Sequence, residues 1–367
     1  MKNKSIIEKK RYNYIDLLKA IAIFLVIFYH GNLYKYNILI DESKLTYFKY
    51  FINTFLSPCV PIFFLVNGFL LFSKELDIKK HILRIVQLII ISFIWGAISL
   101  VILQICRQEY FTIREFWNAL FNWKQGWIHY IWFIGALVRL YIFFPILKVT
   151  YDNNKKIFNY FVIIISVLTI GNTLINNVST ILNCLLVHNN KIFTGFNFFN
   201  IFNAFRGITA SYSFVYFCLG GVIYSLKDKI IKINPIKRNL ISIISILISS
   251  LGLFLVGIVY SKYTSNLWDV VWEGYGTIFT LVNTLAIFVL CLNYKKNNKI
   301  ITCISKNTLG IFFIHIIVME VLKLYVYNLS FVFNIWCTFI FANLIMYISL
   351  CISLILSKIP ILLKLVK

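Results

Sequence analysis

Three ionisable residues stand in the first long apolar stretch of the 367-residue sequence: Asp16, Lys19 and His30. A bilayer interior gives such groups no solvation, so each must face protein, water or an interface. On an α-helix, eleven residues bring the chain back to within about 20° of the same direction and about 16 Å along the axis, so Lys19 and His30 share a face. Asp16 stands one turn before Lys19, within pairing reach. Position alone allows two readings. In one, Asp16 and Lys19 snorkel to the inner interface and His30 to the outer one. In the other they form a polar track into a helix bundle, where an imidazole, which titrates near neutrality, takes a proton from a hydroxyl.

Composition sets the elements that must position these residues. Apolar residues make up 60% of the chain and charged ones only 13%, too few for a water-facing shell. The net charge of +23 raises the question of nucleic acid, and the placement of the charges excludes it, because they sit between apolar runs and not on one face of a domain. At about 20 apolar residues per crossing, spans are expected near 15–35, 47–72, 83–105, 130–147, 157–176, 210–226, 239–260, 275–294, 308–327 and 332–357. With a cytoplasmic amino terminus, 24 of the 36 Lys and Arg residues fall in inner segments and 10 in outer ones, the asymmetry that membrane insertion favours. The expected fold is therefore an all-α integral membrane protein, a polytopic bundle of about ten transmembrane helices with both termini cytoplasmic. It is read as a single domain: a basic amino terminus (1–14), the bundle (15–357) and a cytoplasmic tail (358–367).

The first stretch lacks a small-residue cleavage site and carries three ionisable groups, so it reads as an uncleaved helix and not a signal peptide. The eight cysteines fall singly, without CxxC or His partners at metal spacing, which points to no metal site and no disulfide framework. The longest outer stretch, about 177–209, is rich in Asn and Phe and reads as re-entrant or interfacial.

The run Arg11-Tyr-Asn-Tyr-Ile-Asp16-Leu-Leu-Lys19-Ala-Ile-Ala, closing on Phe28-Tyr29-His30, resembles the opening of the type 3 membrane acyltransferases, in which an Arg or Lys precedes a His by about this spacing in the first span. The segment Pro61-Ile-Phe-Phe-Leu-Val-Asn67-Gly68-Phe69 is similar to that family's Phe-Phe…Ser-Gly-Phe, with Asn67 in the Ser position. Lys79-Lys80-His81-Ile-Leu-Arg84 resembles its Arg-x-x-Arg pattern with His81 for the first Arg. His129-Tyr-Ile-Trp132-Phe133, continuing to Arg139, Tyr141 and Pro145, and Gly310-Ile-Phe-Phe-Ile-His315 resemble two later segments.

The resemblance implies transfer of an acyl group, usually acetyl, from acetyl-CoA or another acyl-CoA to a hydroxyl of a cell-surface glycan or its lipid-linked precursor. No permanently bound cofactor is implied, and the location would be the cell membrane, crossed many times. His30 would be the general base, with Lys19 and Asp16 orienting the donor, and Lys80, His81 and Arg84 would hold the coenzyme A phosphates. Each feature also has a structural explanation. The basic cluster fits positive-inside charge, Asn67 an interhelical amide, Trp132 an aromatic-belt anchor, and His315 a satisfied packing residue, with Glu320 five residues on as an imperfect neighbour. His129 lies beside Trp132, and Arg139, mid-helix, must meet protein or water. Tyr12, Trp95, Glu273 and the Trp268/Trp272 pair read as interfacial or packing residues. Two other functions use the same residues: a transporter with Lys19, His30 and Arg139 along a proton or anion path, and a glycan polymerase or flippase.

Overall fold

The computed structural model describes residues 11–34, 36–186, 211–326, 329 and 333–366, all helix and connection without a strand. Eight helical stretches are long and apolar enough to cross a bilayer, and the surface of the bundle explains what surrounds them. Large apolar side chains such as Ile90, Ile98, Ile248, Leu251, Phe339 and Ile340 are exposed along these helices, a surface that water penalises and lipid accepts. The protein is a multi-pass membrane protein.

Helix α1 (Asn13–His30) is the axis of the bundle, packed against α3 (Cys59–Phe72), α11 (Ile278–Cys291), α12 (Lys299–Lys306), α13 (Thr308–Val326) and α14 (Ile335–Leu356). The expected span 47–72 is broken, with α2 (Lys44–Thr54) ending before Ser57 and Pro58 and α3 starting at Cys59. Proline lacks the N–H that would continue the ladder. Then follow α4 (Ile78–Arg107), α5 (Ile113–Phe121), a short 3₁₀ turn at His129–Ile131, and α6 (Trp132–Asn153). The expected span 157–176 runs further than its apolar core, from α7 (Lys155–Ser166) through a π turn at Val167–Gly171 into α8 (Asn172–Leu186). The start of the stretch at 177–209 is thus helical, and 187–209, with its phenylalanines, lies outside the described residues, as do residues 1–10.

Two expected spans do not meet the crossing criterion. Helix α9 (Tyr212–Lys232) carries Lys227, Asp228 and Lys229 in its last turns, and α11 has 14 residues, about 21 Å of rise. Both are integral to the packing all the same. On α3 and α9, Gly68 and Gly220 let the backbones touch, since a Cβ on Gly68 would stand 1.9 Å from the Phe217 carbonyl oxygen and one on Gly220 2.2 Å from that of Leu65. Between α10 (Pro235–Thr264) and α11, Asn283 donates to Ser250 Oγ at 3.2 Å.

The segments read as a tail are also structured. A short helix α15 (Pro360–Val366) turns back so that Trp95 Nε1 donates to the Leu365 carbonyl at 2.9 Å. The charge alternation has a spatial counterpart. Segments expected on the inner side meet at the Lys19 end of α1, as in the bond from Asn13 to the Lys295 carbonyl at 2.8 Å. Segments expected on the outer side meet at the His30 end, where Arg107 reaches Glu320.

Candidate active site

Helix α1 has neither glycine nor proline between Asn13 and His30, so it runs unbroken and presents Lys19 and His30 at opposite ends of one face. At the Lys19 end the expected Asp16–Lys19 pair does not form. Asp16 accepts from Arg11 Nε and from Ser305 Oγ, each at 2.6 Å, and Lys19 Nζ donates to the Ser305 carbonyl oxygen at 3.4 Å. Ser305, at the end of α12, is the partner that both share, because its hydroxyl and carbonyl both face this turn of α1. Arg11, Lys74 and Arg84 lie close enough to Lys19 to act on its charge, so four cations gather at this end of α1, of which Arg11 is paired with Asp16.

The three residues read as phosphate ligands have different surroundings. Exposed Lys80 pairs with Asp77 at 2.6 Å, and hydrogen bonds from its side chain and backbone hold the Asp77 carboxyl below the usual carboxylate range. Arg84 donates to Gln87 Oε1 at 2.8 Å. His81 is buried, and its Nε2–H donates to the Tyr141 carbonyl oxygen at 2.6 Å. The Tyr141 hydroxyl in turn donates to Asn67 Oδ1 at 3.0 Å, and Asn67 Nδ2 donates to the Phe63 carbonyl at 2.8 Å. His81 and Asn67 thus belong to one chain of hydrogen bonds that stitches α4, α6 and α3 together. Arg139 stands apart from both ends, in a crevice of about 240 Å³ between α4 and α6, with Nε donating to the Gly135 carbonyl at 3.3 Å.

At the other end His30 opens onto a cavity of about 590 Å³. The turn at 129–131 and the start of α6 bring His129 and Trp132 to its wall, as the sequence had grouped them. Facing them is Trp272, edge-on to Trp132 at 4.9 Å between ring centres and 5.6 Å from His129. The floor carries charge. Glu320 accepts from Arg107 at 3.1 Å and from Lys323 at 3.0 Å, and Arg107 also donates to the Gly126 carbonyl at 2.9 Å and lies over the Trp127 ring. Asp269 accepts from the Tyr29 hydroxyl and from the backbone N–H groups of Val271 and Trp272. Behind His30, fully buried His315 stacks obliquely at 5.6 Å between ring centres.

Sequence reasoning missed Tyr29, Arg107, Asp269 and Trp272 as members of this site, and it read Glu320 as a neighbour of His315. Arg107 ends α4 and Asp269 lies in the connection after α10, where no helical periodicity marks an inward face. The available signal was scarcity: with only 13 acids in the chain, an Asp beside Trp268 and ahead of an apolar helix stands out. Among the described residues no three His, Cys, Asp or Glu side chains are placed to hold a metal ion.

A family profile described as an acyltransferase domain matches residues 12–358, nearly the whole chain. The protein belongs to the acyltransferase 3 family. No curated protein and no solved structure matches it. In this acyltransferase the matched region begins at Tyr12, one residue after the guanidinium that holds Asp16, and runs past the end of α14, so both ends of α1 and the whole cavity lie within it.

Proposed function

We propose that this acyltransferase moves an acyl group, acetyl in the first instance, from acyl-CoA to a hydroxyl of a cell-surface glycan or its lipid-linked precursor. The observation that carries the reading is the position of His30: an imidazole at the wall of a cavity walled by tryptophans, on the same helix that ends in a cationic cluster. The cations around Lys19 suit the phosphates of coenzyme A, and the pantetheine arm would run beside α1 toward His30. Trp132 and Trp272 offer flat apolar faces for a sugar ring, and the cavity balances two cations, Arg107 and Lys323, with two carboxylates, Asp269 and Glu320. An uncharged, hydroxyl-rich acceptor fits that balance.

In the reaction, His30 takes the proton of the acceptor hydroxyl as its oxygen attacks the thioester carbonyl. The carbon–sulfur bond then breaks, and the leaving thiolate receives that proton, which yields the ester and free coenzyme A thiol. A positioned base of this kind contributes roughly 10²–10⁴-fold.

The test is His30→Ala at wild-type abundance in membranes, followed by NMR of glycan O-acetyl groups and by thiol release from acetyl-CoA with purified protein. Loss of both signals is expected. Unchanged acetylation removes His30 from the chemistry, and solute accumulation in vesicles without acetyl-CoA would favour the transporter.

A further inference from the structure

The two ring nitrogens of His315 are in different states. Nδ1 lies 2.6 Å from the Phe312 carbonyl oxygen, which can only accept, so Nδ1 carries the hydrogen. In the neutral ring Nε2 is then a bare lone pair. That nitrogen is buried and has no hydrogen-bond partner among the described residues. Natural interiors seldom leave such an acceptor unpaired without a reason.

The donors within reach are few. The Tyr130 ring is 5.8 Å away, but its hydroxyl is engaged with Ser99 Oγ at 2.8 Å and the Phe313 carbonyl at 3.3 Å. His30 is the other polar ring, 5.6 Å between centres and inclined at 46°, and in this structure the two rings are not hydrogen-bonded. At that separation a reorientation of the rings is enough to bring two nitrogens within hydrogen-bond distance. His30 also lines the cavity.

We propose that His315 is a positioning residue for His30: once the His30 ring turns toward it, the unpaired Nε2 accepts a hydrogen bond from one His30 N–H, which fixes the His30 tautomer and leaves the other, unprotonated nitrogen for the cavity. The inference rests on His30 being the base. A base held by a third group is the general arrangement of activated acid–base sites, and here the third group is a neutral imidazole and not a carboxylate. When His30 takes the acceptor's proton, the bond to His315 stays in place and no proton passes to His315. Without His315, neutral His30 divides between two tautomers and two ring orientations, and only part of the population presents a lone pair to the acceptor.

The experiment uses the full chain in nanodiscs, labelled with ¹⁵N-histidine, with His30 signals assigned by their loss in His30→Gln. Wild type is expected to show one protonated and one bare His30 nitrogen. His315→Leu should average the two, and His315→Gln, whose side-chain oxygen can accept the same bond, should keep the wild-type pattern. Thiol release from acetyl-CoA should fall about tenfold or more in kcat for His315→Leu, recover in His315→Gln, and show little change in KM. His30 signals identical in wild type and His315→Leu would overturn the proposal, as would a loss confined to KM. Should His315→Leu fail to fold, the wild-type spectrum decides, because a His30 ring already averaged between tautomers refutes the bond. The spectra need no turnover, so failure of the general-base reading, seen as full activity of His30→Ala, is separate from failure of this one.

Discussion

Glu320 of α13 and Arg107 of α4 meet at 3.1 Å, 213 positions apart in sequence, and Lys323 closes on the same carboxylate from one turn further along α13. The pair fastens two spans beside the cavity. Glu320→Gln leaves two partly buried cations facing each other, so a loss of about 1–3 kcal/mol is expected, below the full cost for a deeply buried pair because these groups keep some solvent. A thermal melt in detergent reads it. A melting temperature equal to wild type would show that the clamp contributes nothing.

The two ends of α1 predict different kinetic defects. Lys19→Gln weakens the cationic cluster and should raise KM for acetyl-CoA about tenfold, roughly 1.4 kcal/mol of binding, with kcat little changed. A variant that instead loses kcat at unchanged KM would place Lys19 in the chemical step.

His81 and Asn67 predict stability effects. His81→Leu removes the donor to the buried Tyr141 carbonyl, and a cost of about 1–3 kcal/mol follows. KM for acetyl-CoA should stay at its wild-type value. A tenfold rise in KM at unchanged stability would restore His81 to phosphate binding.

The contact between α3 and α9 is tested by one methyl group. Gly68→Ala drives a Cβ into the Phe217 carbonyl, so the variant should fail to accumulate as a monodisperse protein in size-exclusion chromatography. Gly171→Ala, where the nearest atom is 3.8 Å away, should accumulate normally. Equal behaviour of the two would contradict the packing.

Trp132→Ala removes one aromatic wall of the cavity. The expected result is a KM for the glycan acceptor about tenfold higher, with KM for acetyl-CoA unchanged. A loss of kcat with both KM values unchanged would mean that Trp132 supports the cavity and not the acceptor.

Much of this was legible in the sequence, for physical reasons. Lipid demands about 20 apolar residues per crossing, so most spans announced themselves, and helical periodicity alone put Lys19 and His30 on one face. The weak points were the short or charged helices: α11, and α9 with its exposed, charged last turns, pack into the interior without meeting the crossing criterion. Partners were less legible than positions. Asp16 sits one turn from Lys19, yet it bonds to Ser305, 289 residues away, and nothing local to Asp16 encodes that choice. Likewise Lys80 and His81 are neighbours in a basic run, and only tertiary packing makes one exposed and the other buried. The cavity wall from Asp269 to Trp272 comes from a connection without period, so no pattern could assign it a side.

The unbroken α1 has a further meaning. A helix without glycine or proline keeps its rise per residue, so the separation of Lys19 and His30 is set by covalent geometry and hardly yields to its surroundings. It acts as a ruler. A donor gripped by its phosphates at one end delivers a reactive carbon to the other only if its arm is of matching length, and a short free thioester cannot touch both ends at once. Discrimination between acyl carriers would then reside in length along a single helix, before any pocket reads the acyl group itself.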